Sequence, residues 1–404
     1  MWEGSWSASL GMTWQLKFIG SLAEVGAEDW ETLERHDDPF TSHAFLLASE
    51  RHHAAAPKLG WYPRHVIMLD EGGKLLGALP LYLRTMSFGD FSGDWHWAEA
   101  FAPAGLRYYP KLVSGIPFTP ATGPRFLVRR GVERRPVVER LIAAALEGVR
   151  QFACSSWQCL FIDESDSELL AESGFLLRRG TQFHWHNRDY RDFDDFLGGF
   201  SAEKRKKVRR ERRRVAESGL TLEIRHGHEI NAELWESIYP HYLSTFARYG
   251  NHAAFSLPFF VEVSAGLGQG LVVFLARNGS RVVAAAICYR SGSTLYGRHW
   301  GAEADYHSLH FELCFYQGID YCIRYGLRRF EPGAQGEHKL SRGFLPESTW
   351  SAYWIADGRM RRIIGEYLER EQQAMAVYQD EMSEHSPYKD PLGGESDATD
   401  ATLP

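Results

Sequence analysis

Groups that can transfer protons are concentrated between positions 299 and 338. General acid–base catalysis needs a side chain that gives or takes a proton near neutral pH, and His and Glu suit this task. Glu331 ends a strand-like run, where a base would face a cleft, and Glu337 and His338 follow on a glycine-rich loop, 333–339. The catalytic candidates are Glu331, His338, Glu337 and His299; ordinary hydrogen-bonded loop residues are the alternative for each.

Three further residues of these types, His307, His310 and Glu312, lie close together in the sequence. Imidazole and carboxylate groups bind zinc, but this spacing matches no standard zinc motif. We therefore expect no metal.

Polar and cationic residues on two loops predict substrate contacts. Lys339 and Arg342 follow the glycine-rich loop, and such cations can clamp a phosphate or a carboxylate. The loop 108–125 is rich in Pro, Gly and aromatic residues, and so long a loop is usually functional. Surface charge and a loop packed by its own aromatics are the respective alternatives. The predicted substrate contacts are Lys111, Ser114, Thr119, Arg125, Gln335, Lys339 and Arg342.

The segment 203–214 has nine Lys or Arg among its twelve residues. On a helix these cations would contact phosphates, as in tRNA or at a membrane surface. A solvated helix between domains, balanced by acidic neighbours, is the alternative. The predicted phosphate or tRNA contacts are Lys206, Arg209, Arg210 and Arg213.

The periodicity of apolar residues predicts the elements that position these side chains. The first half predicts strands at 14–20, 65–70, 74–84, 157–163 and 175–186, helices at 27–36, 44–55, 132–152 and 164–173, and an irregular region at 88–125. The second half predicts strands at 220–226, 271–277, 281–289, 293–300, 328–331 and 349–355, and helices at 230–249, 258–266, 311–325 and 359–382. Because both halves repeat one order of elements, we predict an α/β fold of mixed sheets flanked by helices.

Length and composition favour a cytoplasmic protein of two domains. The chain has 404 residues, of which 44% are hydrophobic and 14% aromatic, so it can form packed cores. A net charge of -7 argues against a dedicated DNA-binding protein. Five single cysteines without a CxxC pair favour a reducing compartment. Neither a secretory signal nor an apolar run long enough for a membrane span is present.

The composition changes at both ends of the chain. We predict an N-terminal extension at 1–11, a first domain at 12–190, a second domain at 191–382 that opens with the basic helix, and a tail at 383–404. The tail is acidic and rich in Pro, Gly and Ser, which is typical of disorder.

The order hairpin, strand, loop, helix, strand resembles the GNAT acyltransferase fold, and its duplication resembles the FemAB-like branch. Four motifs are similar to those of a bacterial FemAB-like family labelled peptidoglycan biosynthesis/recognition, and the resemblance spans about 12–379. The motifs are SGIPFTPATGPRF at 114–126, EKRKKVRRERRRV at 203–215, LHFELCFYQGIDYCI at 309–323 and FEPGAQGEHKLSRGFLP at 330–346.

This resemblance implies two tandem GNAT-like halves and a donor site in the second half. The donor would lie between two splayed parallel strands, with its phosphates on the loop 301–310, which opens a helix. The implied donor-binding residues are Trp300, Gly301, His310 and Glu312. The loop lacks the glycine-rich QxxGxG form usual in GNAT enzymes and carries two acidic residues, which favours a non-standard donor.

The implied activity is transfer of an acyl or aminoacyl group to the amine of a small molecule or peptide. The donor would be acyl-CoA or aminoacyl-tRNA, without a metal. Two alternatives stay open: an aminoacyl-tRNA-dependent transferase acting on a peptidoglycan precursor or a protein terminus, and a ligand-binding protein without catalysis.

Overall fold

A computed structural model of the chain describes residues 4–6, 14–248, 250–333 and 336–389. The strands are β1 Gly4–Trp6, β2 Trp14–Ile19, β3 Leu33–Glu34, β4 Trp61–Pro63, β5 His65–Asp70, β6 Leu75–Leu79, β7 Tyr82–Arg84, β8 Lys111–Ser114, β9 Leu127–Arg129, β10 Ser156–Ile162, β11 Leu176–His186, β12 Thr221–His226, β13 Leu271–Asn278, β14 Arg281–Arg290, β15 Thr294–Ala302, β16 Arg329–Glu331 and β17 Leu345–Ile355. The helices are α1 Ala27–Trp30, α2 His43–Arg51, α3 Trp95–Phe101, α4 Arg134–Gln151, α5 Glu164–Glu172, α6 Phe193–Gly198, α7 Ala202–Ala216, α8 Ala232–Arg248, α9 Leu257–Leu267, α10 Leu309–Phe311, α11 Gln317–Tyr325 and α12 Gly358–Glu384, and a π-helical turn, Glu312–Tyr316, joins α10 to α11. Among the described residues, no helix has the length and apolar character needed to cross a membrane.

The strands form two sheets. The smaller has the order β1-β2-β5-β6-β9-β3, and the larger has the order β12-β13-β14-β15-β16-β11-β17-β10-β8-β7-β4. The larger sheet contains two parallel pairs, β8 with β10 and β15 with β16. A helical connection joins the strands of each pair, as parallel pairing requires. The repeat of elements predicted from the sequence is therefore present in both halves.

The first half, 14–190, and the second half, 191–389, exchange strands in the larger sheet. β17 of the second half pairs with β10, and β11 of the first half pairs with β16. β11 and β17 also pair with each other, from Leu176–Tyr353 to His184–Leu345. The larger sheet therefore continues from one half into the other.

Aromatic side chains fill the apolar core between the halves. Phe45 of α2 packs edge-to-face on Phe259 of α9, with ring centres 5.5 Å apart. Phe40 contacts Tyr289 of β14 at 5.2 Å. Such pairs contribute beyond the area that they bury, so this core fixes the two halves in one arrangement.

Local sequence explains the boundaries of the helices near the central cleft. Asp163 caps α5 by accepting a hydrogen bond from the Asp166 N–H at 2.9 Å, and Asp357 caps α12 through Met360 N at 2.9 Å. Gly326 ends α11 in the left-handed conformation, φ 67, which glycine adopts without strain.

Three predicted elements need correction. The helix predicted at 27–36 ends at Trp30, because Leu33 and Glu34 leave it to form β3 and pair with β9. The region 88–125 contains α3 and β8. The strand predicted at 74–84 is two strands in different sheets, separated by Pro80, whose missing N–H interrupts the ladder. The other predicted helices and strands are confirmed, with shifts at their ends.

Candidate active site

The parallel strands β15 and β16 separate after three paired residues. The pairs run from Thr294–Arg329 to Tyr296–Glu331, after which β16 ends and β15 continues to Ala302. The edge of β15 that faced β16 then has no strand beside it. Its backbone N–H and C=O groups are therefore available to an extended ligand.

β15 also carries a β-bulge against β14. The pairing shifts between Ile287 and Cys288, and Arg298 is the residue left over. A bulge re-aims the side chains around it. Arg298 reaches the first half, where its Nη2 donates to the Phe118 carbonyl oxygen at 3.1 Å. The bulge thus connects the gap between the strands to the other half of the chain.

A cavity of about 170 Å³ occupies the gap, and we name it the strand-gap cavity. Its lining residues are Ala286, Cys288, Gly297, Arg298, His299, Trp300, His310, Cys314, Phe315, Pro332, Gly333, His338 and Lys339. The structure therefore brings together five of the residues singled out in the sequence, namely His299, Trp300, His310, His338 and Lys339.

Two cations face this cavity. Burial lowers the pKa of Lys339 to about 8 and that of Arg298 to about 10, so both are mainly protonated at neutral pH. Lys339 Nζ donates to the Gly333 carbonyl oxygen at 2.6 Å. Burial, assisted by the neighbouring His338, lowers the pKa of His310 to about 4, so that imidazole is neutral. The cavity thus offers positive charge to a carbonyl oxygen or an anion.

The ring of His299 packs among aromatic side chains. Its centre lies 4.9 Å from that of Tyr242, 5.7 Å from that of Phe255 and 6.0 Å from that of Phe260. Burial and the nearby Arg298 lower the pKa of His299 to about 3. A group with so low a pKa is a weak base at neutral pH, so the environment disfavours His299 as the proton acceptor.

A second cavity, of about 400 Å³, lies between the halves, and we name it the inter-half cavity. Its lining residues are His36, Asp38, Thr122, Gly123, Pro124, Ile162, Asp163, Glu164, Ser291, Ser293, Thr294, Tyr296, Arg329, Ser348 and Trp350. Three carboxylates and several hydroxyl groups face it together with one guanidinium. This composition suits a polar molecule that carries amino groups.

Glu331 lies between the two cavities, although it is not itself among the residues that line either of them. Its backbone neighbour Pro332 lines the strand-gap cavity, and its paired residue Tyr296 lines the inter-half cavity. The side chain is 3% exposed, and neither carboxylate oxygen has a hydrogen bond of good geometry, although the Thr122 N–H comes close enough to favour the carboxylate form. Arg329 Nη2 lies 2.9 Å from Oε1, without hydrogen-bond alignment.

Burial raises the pKa of Glu331 to about 7, although the nearby Arg329 opposes that shift. A carboxyl group that titrates near neutral pH can both accept and return a proton under ordinary conditions. The position and the pKa of Glu331 therefore suit a general base between two ligands.

The first-half residues predicted as substrate contacts are buried and bonded within the protein. Neither cavity is lined by Lys111, Ser114, Thr119 or Arg125. Lys111 Nζ lies 2.9 Å from a carboxylate oxygen of Asp90. Arg125 donates to five carbonyl oxygens, in 121–124 and 160–161. The structure thus places these side chains where they hold the first half together.

The segment after β16 directs two predicted residues away from the cavity. Glu337 is exposed and accepts a hydrogen bond from the Tyr378 hydroxyl of α12 at 3.0 Å. Arg342 is buried, with its Nη2 2.9 Å from Glu211 Oε1 and its guanidinium carbon 3.4 Å from the centre of the Phe311 ring. The predicted Gln335 lies outside the described residues.

Two of the predicted donor-binding residues have packing roles. Glu312 lies in the π-helical turn, with Oε1 3.3 Å from Arg212 Nη2. At Gly301 an added Cβ would lie 1.7 Å from the His241 carbonyl oxygen of α8. Only glycine lets α8 pack this closely on β15.

The basic helix α7 presents its cations to solvent. Lys206, Arg209, Arg210 and Arg213 are exposed, while a stripe formed by Val208, Glu211 and Val215 is buried. Arg209 pairs with the exposed Asp194 at 3.0 Å. Arg214 Nη1 lies 2.6 Å from a ring nitrogen of His307, which precedes α10. The helix therefore packs on the same loop that leads into the strand-gap cavity.

Sequence reasoning missed several residues near Glu331. Arg298 belongs to a bulge, which alternation along a strand cannot reveal. Arg329 stands two residues before Glu331 and thus on the same face of β16, a signal that was present in the sequence. Asp38 and Thr122 come from the first half, so only the fold places them in the cleft. Nowhere among the described residues do three or more His, Cys, Asp or Glu side chains group so as to hold a metal ion.

Comparison with known proteins gives one match to a sequence family. The profile of the FemAB-like family, described as peptidoglycan biosynthesis/recognition, matches residues 21–390. No curated protein sequence matches the chain significantly.

Several solved structures are similar in fold. The C-terminal domain of a putative lysylphosphatidylglycerol synthetase from Agrobacterium fabrum aligns with 88% of this chain and 96% of its own, at 11% identity and a TM-score of 0.51. FemX aligns with 78% of this chain and 93% of its own, at 13% identity and a TM-score of 0.47. A tandem GNAT protein of the clavulanic acid biosynthesis pathway aligns with 85% of this chain and 99% of its own, at 14% identity and a TM-score of 0.43. The predicted fold class, α/β with mixed sheets flanked by helices, is confirmed, and so is the predicted FemAB-like family.

Proposed function

Because the chain belongs to the FemAB-like family of peptidoglycan biosynthesis and recognition proteins, we propose that it is an N-acyltransferase that moves an acyl or aminoacyl group onto an amine. The observation that carries the proposal is the place of Glu331, a buried carboxyl group between two cavities whose pKa burial raises to about 7. One cavity is bordered by the free edge of β15, and the other by carboxylates and hydroxyl groups.

The donor occupies the strand-gap cavity with its carbonyl carbon facing Glu331. The acceptor amine enters from the inter-half cavity. Glu331 takes a proton from the amine, whose nitrogen lone pair then forms a bond to the carbonyl carbon. Backbone N–H groups at the free edge of β15 and the charge of Lys339 stabilise the negative oxygen of the tetrahedral intermediate. The intermediate collapses as the bond to the thiolate or ribose oxygen breaks, and that leaving group takes up the proton that the attacking nitrogen loses on becoming an amide.

A neutral replacement of Lys339 tests where the donor binds. In Lys339→Met we expect the affinity for the donor to fall at least about tenfold, because a charge-assisted contact is lost. The fold should persist, because the change removes a buried charge. Calorimetric titration with acetyl-CoA and with aminoacyl-tRNA measures the effect.

Lys389→Met is the matched control, since Lys389 Nζ also donates to a carbonyl oxygen, that of Gly198 at 2.9 Å, but is exposed. Equal donor affinity in both variants would remove Lys339 from the donor site. A wild-type protein that binds a donor but never transfers it to any amine would identify a ligand-binding protein instead.

The surface of α7 favours aminoacyl-tRNA as the donor. Exposed cations on α7 flank the loop that leads to α10, and a polyanion lying along them would reach the strand-gap cavity with its end. Binding of this kind releases counterions and weakens steeply with salt. Acyl-CoA stays the alternative donor and requires no such surface.

We predict that Arg210→Ala/Arg213→Ala lowers the affinity for bulk tRNA and reduces the slope of log affinity against log salt by about 1 to 2, since each lost phosphate contact reduces it by about 0.7 to 0.9. Filter binding at several salt concentrations measures both quantities. The control is Arg362→Ala/Arg370→Ala on α12, two exposed arginines on another face. If both double variants lose the same affinity, the attraction is diffuse and α7 is not the tRNA site.

A further inference from the structure

The loop between β7 and α3 is inverted relative to an ordinary surface loop. Its apolar side chains face solvent: Met86 is 39% exposed, Phe88 37%, Phe91 50% and Trp95 55%. Its polar side chains, from Ser87, Asp90, Ser92 and Asp94, are buried. We name residues 86–95 the inverted loop. Four exposed, large apolar side chains within ten residues are typical of a surface for interaction.

The buried polar side chains hold the inverted loop in place through hydrogen bonds and ion pairs with Lys111. The ammonium group of Lys111 donates to Ser87 Oγ at 2.8 Å and to Ser92 Oγ at 3.2 Å, and it forms ion pairs with Asp90, at 2.9 Å, and with Asp94. A fully buried lysine requires such partners. The network therefore sets which side chains of the loop point outward.

The backbone of the inverted loop is strained at its most exposed phenylalanine. Phe91 has φ 59, a left-handed conformation that costs a bulky residue roughly 1 to 2 kcal/mol. The glycines on either side of it, Gly89 and Gly93, also have positive φ. Half of the Phe91 side chain stays in water, so its burial offsets this cost only in part. Its place suggests a role outside the isolated molecule.

The charges around the inverted loop favour an anionic partner. The carboxylates of Asp90 and Asp94 are turned inward onto Lys111, so they give no negative charge to the outer face. Exposed cations lie near the loop: Lys58 stands two residues before Gly60, which lies against Met86, and Arg359 donates to the Ala104 carbonyl oxygen beyond the far end of α3, while Glu99 of α3 is an exposed carboxylate. Aromatic side chains rimmed by cations are the pattern of proteins that lie at a lipid interface.

The inverted loop is also connected to the proposed active site. The ring of Phe88 packs against that of Phe118 at 5.6 Å, and the Phe118 carbonyl oxygen accepts from Arg298, which lines the strand-gap cavity. A single residue, Phe118, therefore connects the inverted loop to a side chain that lines the strand-gap cavity.

We propose that the inverted loop docks the protein on the interface of an anionic lipid bilayer, with Phe91 and Trp95 inserted among the acyl chains and Lys58 and Arg359 against the headgroups. This proposal stands apart from the transfer reaction, because it concerns where the protein is held and not what it catalyses.

Sedimentation of the full chain with vesicles tests the proposal. We expect wild-type protein to bind vesicles of phosphatidylglycerol and phosphatidylcholine more strongly than vesicles of phosphatidylcholine alone. In Phe91→Asn/Trp95→Gln the partition coefficient should fall at least about tenfold, because two large apolar side chains no longer leave water. The melting temperature should not fall, since Asn tolerates the left-handed backbone. The control, Val377→Asn, changes a side chain that is 58% exposed on α12 and should bind as wild type.

The proposal is overturned if wild-type protein binds neither kind of vesicle, or if the double variant binds as well as wild type. A dimer of the free protein that the double variant dissociates, without vesicle binding, would assign the loop to a second copy of the chain and equally reject the lipid surface.

Discussion

Glu331→Gln is expected to abolish transfer and, at pH 8, to raise the stability of the protein. The loss of the base should lower turnover by at least about 100-fold, while donor affinity stays near that of wild type. The gain in stability follows from burial, because removing the Glu331 carboxylate from water costs more than the nearby Arg329 and the Thr122 N–H return. A change that stabilises the fold and removes the activity would identify Glu331 as a group kept for function.

The pKa of Glu331 in the folded and unfolded states determines how the free energy of unfolding of wild type changes with pH. The pKa of Glu331 is about 7 in the folded protein and about 4.5 in the unfolded chain. Below pH 4.5 both states hold the proton, and wild type loses no stability; as pH rises towards 7 the unfolded state ionises first, and wild type is progressively destabilised. The full difference, on the order of 3 kcal/mol, is reached above pH 7.

Urea unfolding at pH 8 and pH 5 measures this difference, which should be far smaller at pH 5. The rate at which wild-type protein transfers the acyl group should rise with pH and level off above about pH 7. Glu172→Gln, a neutral replacement of an exposed carboxylate on α5, is the control and should change neither quantity. Full activity in Glu331→Gln would require another base, and a loss of stability at pH 8 would mean that the carboxylate supports the fold.

Lys111→Met is expected to destabilise the protein by about 3 to 5 kcal/mol, because it leaves two buried carboxylates without their cation. Burial alone would raise the pKa of Asp94, yet the Lys111 ammonium holds it well below its usual range. The buried group also contains Arg84, whose Nε lies 3.9 Å from Asp90 Oδ2, so the set of two cations and two anions is neutral before the change. Denaturant unfolding measures the loss.

The double variant Lys111→Met/Asp94→Asn restores neutrality and should recover part of the lost stability. A substrate-binding role predicts the opposite pattern: Lys111→Met would keep its stability and lose affinity for the acceptor. If Lys111→Met still folds, it should also weaken binding to anionic vesicles, because the inverted loop loses the ammonium group that holds it in place.

Repeating patterns in the sequence predicted most of the strands and helices. The 3.6-residue period over α4 and α12 and the turn at 278–279 between β13 and β14 are local signals, so single-chain reasoning finds them. Predictions failed where one or two residues determine the local structure, as at Pro80, which separates two strands, and at the end of α1. A short helix such as α3, set among glycines and prolines, has too few turns to show a period.

The candidate site was only partly predictable. Loops at strand ends pointed to His310, His338 and Lys339, which do line one cavity. Lys111 and Arg125 had the right chemistry for a substrate contact, but a sequence does not tell a buried, fully bonded cation from one that faces a cleft. The outward-facing aromatic residues of the inverted loop were equally hidden, since apolar residues in a sequence suggest a core.

The exchange of β11 and β17 has a consequence for synthesis on the ribosome. β10 cannot complete its ladder until β17, nearly two hundred residues later, has been made. During translation the first half therefore exposes an unpaired sheet edge, which invites association with other nascent chains. A fragment that stops before β17 should be poorly soluble, and adding the missing strand in trans should rescue it. The two halves of this protein therefore depend on each other to complete their shared sheet.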